Sequence, residues 1–275
     1  STSGRAPISS WPKFIDYDPR LRGQTSHDRA APCAREHASA VDHASARLVQ
    51  IAYMAVSVLC KDKLPEALMQ TYLAQERVAF DGVFILRKQQ VDKIIADSRN
   101  VDQAVELQKK QLERVFSHAL AGDAAKGTQG PMQRWAADIV QRLRRRNAMT
   151  SAVEFEDINT ADYPEAVNGA RHGEWVQTTA EHAAHVFISF GSLSLHFEGR
   201  ASLAPASQAG PELLQLDMAP SITDTFDFHI KEEDEGTGWM DHAFARLQCS
   251  GDAKPFRIEG TGSAVRMVIT RARAR

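Results

Sequence analysis

The sequence predicts an α+β protein in which a flexible N-terminal arm precedes a central helical domain and a mainly antiparallel β domain. Three observations support this division. Residues 1–37 combine prolines with Gly, Ser and Arg and lack a sustained apolar period, which is typical of an extended or loosely docked arm. Apolar residues recur at helical spacing in residues 38–148. Residues 149–275 instead contain segments in which apolar and polar residues alternate.

Composition and charge exclude several classes of protein. The 275-residue chain is 43% hydrophobic, which is enough for one large domain or two modest ones. Its 33 basic and 35 acidic residues give a net charge of -2, without the basic excess typical of nucleic-acid binding. No apolar run approaches the roughly 20 residues of a transmembrane helix, so no transmembrane segment is expected. The N-terminus lacks the apolar core of a secretory signal, so we expect any release from the producing cell to be signal-independent or by lysis.

Five helices are expected in residues 38–148. The first lies within residues 41–60, and its apolar stripe is predicted to face the core: Val41, Leu48, Ile51, Ala52, Ala55, Val58 and Leu59. Pro65 favours a second helix over residues 66–80. A third helix is predicted over residues 82–98.

The last two helices have clearer ends. In the fourth, Asn100 is a candidate N-cap, Gly122 ends the helix, and one stripe is apolar: Val101, Val105, Leu112, Phe116 and Ala119. The fifth begins near Pro131 and ends in the basic segment "RLRRR" (142–146). That segment could bind phosphate or anionic lipid. We favour a solvated helix end whose charge complements the helix dipole.

The β domain begins where the period changes to two. The segment "HVFISFGSLSLHFEGRASL" (185–203) predicts a half-buried strand, with Leu193, Leu195 and Phe197 on its apolar face. A second strand is predicted over residues 213–222. Two more are predicted in "KPFRIEG" and "SAVRMVITR" near the C-terminus, and a short helix is expected over residues 238–248.

Neither the cysteine spacing nor the common catalytic motifs indicate a metal site or a catalytic site in this sequence. Cys33, Cys60 and Cys249 cannot all pair, and their spacing fits no zinc site. Cys60 lies in an apolar helix and is interpreted as a small core residue, while a Cys33–Cys249 disulfide stays open. The motifs GxGxxG, GxxxxGK[ST], HExxH and GxSxG are absent from the sequence.

One acidic pair stands out in "SITDTFDFHIKEEDEG" (221–236). Asp224 and Asp227 follow a predicted strand, and on a continuing strand Asp224 shares a face with Phe226. Paired carboxylates can hold Mg²⁺ or divide acid and base roles. Equally, both can be loop-entry residues that bond nearby backbone N–H groups. The run "EEDE" (232–235) is interpreted as a solvated loop, since its spacing does not fit an EF-hand calcium site.

Three segments occur in an order that carries a resemblance. They are "FGSLSLHFEGRASL", "LLQLDMAPSITDTFDF" and "DHAFARLQCSGDAKPFRIEG". In this order they resemble the activity domain of colicin M and its relatives, the lipid II-degrading bacteriocins. The matching positions are Gly191, Glu198-Gly199, Asp224, Asp227-Phe228, Arg246-Leu247 and Lys254 to Ile258. The layout of arm, helical domain and β domain is also similar, so the resemblance implies a colicin M-like activity domain over residues 149–275.

The resemblance also implies an activity. Its members are phosphodiesterase-type hydrolases that use Mg²⁺ and cut the peptidoglycan precursor lipid II between polyprenol and pyrophosphate, in the periplasm of a target bacterium. By this comparison Asp224 and Asp227 would be catalytic residues and metal ligands. His229 and Arg246 are further catalytic candidates. The expected partners are lipid II or a related polyprenyl-pyrophosphate compound, an outer-membrane receptor and an immunity protein.

The site departs from the family pattern at two places. Phe226 stands where the family has a tyrosine, and the segment after Asp227 lacks the family's His-Arg pair. His229, Lys231 and His242 lie near that segment in sequence. Arg246, Arg257 or the arginines after Val265 are further substitutes. An alternative is therefore a catalytically altered fold that binds a receptor, an immunity partner or a lipid head group. A third reading is a helical interaction protein with an unrelated β domain.

Overall fold

A computed structural model describes residues 38–74, 82–122, 130–150, 152–162, 174–178, 180–204, 212–226, 228 and 239–270. Within these residues, seven α-helices cover one face of a seven-stranded mixed sheet. The expected α+β class is confirmed. The predicted N-terminal arm, residues 1–37, lies outside the described residues.

The helices come mostly before the sheet in sequence. They are α1 (Ala40–Leu59), α2 (Leu64–Ala74), α3 (Lys88–Asp97), α4 (Arg99–Ala121), α5 (Pro131–Thr150), α6 (Ala180–Phe190) and α7 (Trp239–Ser250). Ser39 caps α1 through a capping box with Asp42, in which each side chain accepts a hydrogen bond from the other residue's backbone N–H. At the other end of the bundle, Gly122 stops α4 in the left-handed conformation, with φ of 80°.

The strands form one sheet in the order β1-β6-β5-β4-β2. They are β1 (Val83–Ile85), β2 (Phe155–Asn159), β3 (Glu174–Gln177), β4 (Ser192–Ala204), β5 (Leu213–Phe226), β6 (Phe256–Thr261) and β7 (Val265–Thr270). β3 also pairs with β4, and β7 also pairs with β5. All pairings are antiparallel except that of β1 with β6. The long β4–β5 hairpin is therefore flanked on each side by two shorter strands placed end to end.

Pro220 determines where β6 gives way to β7. It lies inside the central strand β5, directly opposite Phe197 of β4. The Phe197 N–H turns away from β5 and donates to Thr160 Oγ1 at 2.8 Å, so the nitrogen of Pro220 faces the other neighbour. On that side the Gly262 N–H donates to the Pro220 carbonyl at 2.8 Å, between the two short strands. Because proline has no N–H to donate, the neighbouring ladder is interrupted at this position.

The two faces of the sheet differ in composition. We call the helix-covered face the one that carries Leu195, Phe197, Ile222 and Ile258, all 0% exposed. The polar face carries the alternate residues of the same strands, including Glu198, Arg200 and Asp217. Four residues of the polar face are nevertheless buried: Ser194, His196, Ser202 and Ser221. The alternation was therefore predicted correctly, although the polar face is less exposed than a simple two-layer arrangement implies.

The basic segment 142–146 does not end α5 as the sequence predicted, because the helix continues to Thr150; three of its arginines pair with carboxylates instead of being fully solvated. Arg144 donates to both carboxylate oxygens of Glu212, with Nε–Oε1 at 2.9 Å and Nη2–Oε2 at 2.6 Å. It also donates to the Leu120 carbonyl at 3.0 Å, so one guanidinium joins α4, α5 and the start of β5. The hydrogen bond to Glu212 raises the pKa of Arg144 against the opposing effect of burial. Arg142 and Arg146 both pair with Glu156 of β2.

Several local predictions were wrong. Asn100 is not the N-cap of α4, because the helix begins at Arg99 and Ser98 takes the N-cap position. Three further errors have identifiable reasons. Residues 185–190 are helix, not strand, because Gly191 with φ of 58° ends α6 immediately before β4 begins. Residues 83–85 form a strand rather than the start of a helix, because they pair in parallel with β6. A strand of only three residues is too short to show an alternation of apolar and polar residues in the sequence.

The third error concerns which side of α1 is buried. The helix buries a mainly small or polar side: Asp42, Ser45, Ala46, Val49, Tyr53 and Ser57. The stripe predicted to face the core is exposed, with Leu48 62%, Val58 75% and Leu59 81% exposed. Small side chains let α2, α6 and α7 approach α1, and the Tyr53 hydroxyl donates to the Ile188 carbonyl of α6 at 2.8 Å. The large apolar residues of α1 therefore do not mark its buried side, which is set by the close approach of the neighbouring helices.

The helical and β segments share one hydrophobic core. A single cluster of buried residues runs from Ala46 in α1 to Ile269 in β7. The division at residues 148 and 149 falls inside the last turn of α5, and β1 of the helical segment belongs to the sheet. Whether each segment folds alone stays a prediction.

Of the cysteines, Cys249 is disulfide-bonded and Cys60 is a free thiol, while Cys33 lies outside the described residues.

The close contact of β4 with β5 at Gly199 gives a stability prediction. A Cβ at Gly199 would lie 2.0 Å from the Asp217 carbonyl oxygen and 2.8 Å from the Met218 Cα. Because both obstacles are backbone, Gly199→Ala should destabilise the protein by about 2–3 kcal/mol in urea unfolding. Gly130→Ala is the control, since its new Cβ meets only the Gln133 side chain and should cost less than about 0.5 kcal/mol. Equal stabilities for the two variants would contradict the close-approach interpretation.

Candidate functional site

Asp224 lies in β5, three positions before the second predicted acid. Its backbone pairs with Ile258 of β6, and the strand continues regularly to Phe226. By alternation Asp224 therefore shares the helix-covered face with Ile222 and Phe226, as the sequence predicted. Its side chain is half-buried. It is thus a strand residue and not a loop-entry residue, and no bulge follows it up to Phe226.

An aromatic cluster surrounds the end of β5 beyond Asp224. Its rings belong to Tyr72, Phe226, Phe228, Phe244 and Phe256. Phe226 stacks on Phe256 with centroids 5.3 Å apart and meets Phe228 edge-on at 5.6 Å. Phe226 is 5% exposed, so the residue at the family's tyrosine position serves as core packing in this chain.

Polar contacts fix this cluster to α2 and α7. The Tyr72 hydroxyl lies 3.1 Å from both the Phe244 carbonyl and Gln248 Oε1, and these two oxygens share its hydrogen bond. Gln248 Oε1 also accepts the Phe228 N–H at 3.3 Å. Since Tyr72 and Gln248 are buried, these bonds satisfy groups that would otherwise be costly inside the core. The chain on both sides of position 227 is consequently anchored.

Two of the four predicted site residues cannot be located. Asp227 and His229 lie outside the described residues, as does the acidic run 232–235. In the part of the chain that the structure describes, no group of three His, Cys, Asp or Glu residues could hold a metal ion. Asp224 supplies one carboxylate, whose oxygens are the ligand type that Mg²⁺ prefers. Occupation of the pair by Mg²⁺ stays a prediction.

Three of the candidate arginines lie within the described residues, and each is paired with another carboxylate. Arg246 Nη1 lies 3.6 Å from Asp42 Oδ1, which joins α7 to the first turn of α1. The Ser39 hydroxyl and backbone N–H, followed by Arg246, hold the pKa of Asp42 below its usual value. Arg257 pairs with Glu259, and Arg266 pairs with Asp217, both on the polar face. The structure therefore does not bring these arginines together with Asp224.

A shallow groove of about 480 Å³ lies on the opposite side of the sheet. Its polar lining belongs to the polar face of β2, β4 and β6: Asp157, Asn159, Glu198, Arg200 and Thr261. Several of these groups already satisfy one another, with Arg200 Nε donating to Asp157 at 2.9 Å and Thr261 donating to Glu198 at 2.5 Å. Because Asp224 lies on the helix-covered face, this groove is not the Asp224 site.

A charged cluster that sequence analysis missed joins three separate segments. His185 of α6 lies 2.9 Å from Asp97 of α3 and 3.8 Å from Asp62 between α1 and α2. Lys93 pairs with both aspartates. His185 Nε2 is buried and lies close to both aspartates without the geometry of a directed hydrogen bond. No spacing links residues 62, 93, 97 and 185, so only the fold could reveal this cluster.

Electrostatics within the cluster favour the charged forms of Lys93 and Asp97. The hydrogen bond from Lys93 holds the pKa of Asp97 below its usual value, although burial opposes the shift. Burial also opposes the charge on Lys93, but its contacts with Asp97 and Asp62 outweigh it and raise the pKa of the ammonium group. The cluster connects the α1–α2 turn, α3 and α6, and these elements support the helix-covered face of β5 and β6.

Comparison of the chain with protein-family models, curated proteins and solved structures finds no match. The resemblance to the colicin M family therefore rests on the order of short motifs. Among the helices that the structure describes, none combines the length and apolar character needed to cross a membrane.

The Asp97 cluster predicts a dependence of stability on pH. A carboxyl with a lowered folded-state pKa stabilises the protein above its ordinary value of 3.8, and this stabilisation is lost as pH falls through the folded value. Asp97→Asn should therefore lower the melting temperature at neutral pH and flatten its decline below roughly pH 4. Asp157→Asn is the control, because Asp157 is 83% exposed and its pair with Arg200 is screened. If the melting temperature of Asp97→Asn declined in acid as steeply as that of the wild type, the attribution of this pH dependence to Asp97 would be contradicted.

Proposed function

We propose that this chain is a colicin M-like antibacterial toxin that hydrolyses lipid II or a related polyprenyl-pyrophosphate compound. In this proposal it acts in the periplasm of a target bacterium, with an outer-membrane receptor and an immunity protein as partners. Asp224 and Asp227 are the central acidic residues. The observation that carries the proposal is the position of Asp224, a half-buried carboxylate on the helix-covered face beside an anchored aromatic cluster.

The spatial order of the motifs adds support. The "EG" pair, Glu198-Gly199, lies in the hairpin strand β4, and the strand it pairs with leads to Asp224. The Arg246-Leu247 pair lies in α7, and the strand with Phe256 and Ile258 pairs with β5 at Asp224. Asp224 and the strand with Phe256 and Ile258 thus meet near the C-terminal end of β5, while the Glu198-Gly199 pair lies opposite the middle of that strand.

The chemistry assigns each group a distinct task. A carboxylate beside the scissile P–O bond can orient water and accept its proton as the water adds to the phosphorus; the bond to the polyprenol oxygen then breaks, and the pyrophosphate fragment keeps the new oxygen as an anion. Mg²⁺ held by Asp224 and Asp227 would supply positive charge next to that phosphoryl group. His229 is the candidate for returning a proton to the polyprenol oxygen. Arg246 is the candidate cation for the anion, which requires it to exchange Asp42 for the substrate.

A binding function is the second candidate, and the pairing of the arginines favours it. Arg246 and Arg257 are engaged by Asp42 and Glu259. Cleavage beside a pyrophosphate needs a cation that stabilises the transition state more than the ground state. A fold that keeps Asp224 but commits its cations elsewhere would bind a receptor, an immunity partner or a lipid head group without turnover.

Hydrolysis is tested with purified protein, lipid II and Mg²⁺, by following the release of polyprenol. We expect release by the wild type and a loss of about a hundredfold or more in Asp224→Asn, because the substitution removes the base and keeps the shape. Asp217→Asn is the matched control, since Asp217 also lies in β5 but pairs with Arg266 on the polar face. Absence of release with every divalent cation would reject the hydrolase. Tight lipid II binding that survives Asp224→Asn would then select the binding function.

The role of Arg246 is tested separately with Arg246→Gln. Its pair with Asp42 spans 3.6 Å and its side chain is 39% exposed, so the stability loss should be at most about 1 kcal/mol. If Arg246 stabilises the pyrophosphate, kcat falls by about tenfold or more while the fold is kept. Arg200→Gln, a 68% exposed arginine of the polar face, serves as control. Equal kcat values in both variants would leave Arg246 as a structural partner of Asp42 alone.

A further inference from the structure

The exposed side of α1 is unusually apolar. Its outward stripe contains six large side chains, each between 43% and 81% exposed: Val41, Leu48, Ile51, Met54, Val58 and Leu59. Three exposed alanines, Ala44, Ala52 and Ala55, lie between them. The stripe runs from residue 41 to residue 59, which is about 27 Å along the helix axis. A contiguous apolar surface of this kind marks a binding surface rather than scattered exposed residues.

The opposite side of α1 is already occupied. It packs on α2, α6 and α7, and Tyr53 donates to the Ile188 carbonyl. The outward side is the more apolar of the two, so its composition indicates burial against a partner. Since one side is held by the protein itself, α1 can present the other side to a partner only while lying flat along it.

The charges around the stripe determine the kind of partner. In residues 40–63, the fully charged side chains that are exposed are all basic: Arg47, Lys61 and Lys63. Both carboxylates of this segment are turned inward. Asp42 is 5% exposed and bonded to Ser39, and the Asp62 side chain is 12% exposed and paired with Lys93. From residue 48 to residue 60 there is no charged residue at all.

We propose that the exposed side of α1 is a docking surface for an anionic phospholipid membrane. The six apolar side chains enter the interface between head groups and acyl chains, and Arg47, Lys61 and Lys63 contact the lipid phosphates. A second copy packed stripe against stripe would set these cations beside the same cations of its partner, whereas lipid phosphates supply opposite charge. The inference stands on α1 alone and is independent of the proposed hydrolysis, since its readout is membrane binding.

The test measures co-sedimentation of the full chain with vesicles of equimolar phosphatidylglycerol and phosphatidylcholine. Wild type should bind, and Leu48→Gln/Ile51→Gln/Val58→Gln should bind at least about tenfold more weakly. The control Ile85→Gln/Met149→Gln/Val268→Gln removes three other exposed apolar side chains, 65%, 84% and 58% exposed, and should bind like wild type. Far-UV circular dichroism and melting temperature verify that each variant is folded.

A second variant tests the charges without touching the apolar stripe. Arg47→Gln/Lys61→Gln/Lys63→Gln should lose binding to the mixed vesicles and should match wild type on pure phosphatidylcholine. Wild type that does not sediment with mixed vesicles, or a stripe variant that binds within twofold of wild type, would overturn the proposal. A wild-type dimer in analytical ultracentrifugation that the stripe variant converts to monomer would assign the surface to a second copy instead.

Discussion

The pairing of β4 with β5 is the contact on which the rest of the described structure depends. The two strands are in register from Ser194 opposite Thr223 to Ala204 opposite Leu213. β2 and β3 attach to one side of this hairpin, and β6 and β7 attach to the other. A slip by one residue would turn the apolar residues away from the helices. Gly199, which allows the strands to approach, and Pro220, which interrupts the outer ladder, therefore help to fix both the register and the place of Asp224.

Partly buried ion pairs join elements that apolar packing alone would not align. Arg144 connects α4, α5 and β5, Arg246 connects α7 to α1, and Lys93 connects α3 to the turn before α2. Such pairs add little net stability, but breaking one leaves a partly desolvated charge behind. These pairs also engage arginine and lysine side chains that could otherwise bind an anionic substrate. The question of activity is therefore whether substrate binding can compete for Arg246 with the Asp42 carboxylate.

The sequence predicted most elements because their periods are long or their ends are marked. The stripe of α4, the Gly122 stop and the alternation in β4 each leave an unambiguous local pattern. The position of Asp224 on the face of Phe226 followed from the same alternation. The orientation of α1 did not, since its large apolar stripe is exposed and its mainly small or polar side packs on α2, α6 and α7. The partners of Arg246 and the His185 cluster could not be predicted either, because they join segments far apart in the chain.

The parallel pairing of β1 with β6 has a consequence for the order of folding. During synthesis from the N-terminus, helices α1 to α5 and β1 are made before the strands of the hairpin. Phe84 and Leu86 then lack the β6 backbone that later pairs with β1 and accepts the Leu86 N–H at Glu259. The early segment can pack its helices on one another, but the sides of α3, α4 and α5 that contact the strands stay uncovered until the C-terminal strands arrive. Closing so long a loop also makes this a slow-forming contact. A nascent chain stalled before residue 256 would therefore expose apolar helix surface to chaperones.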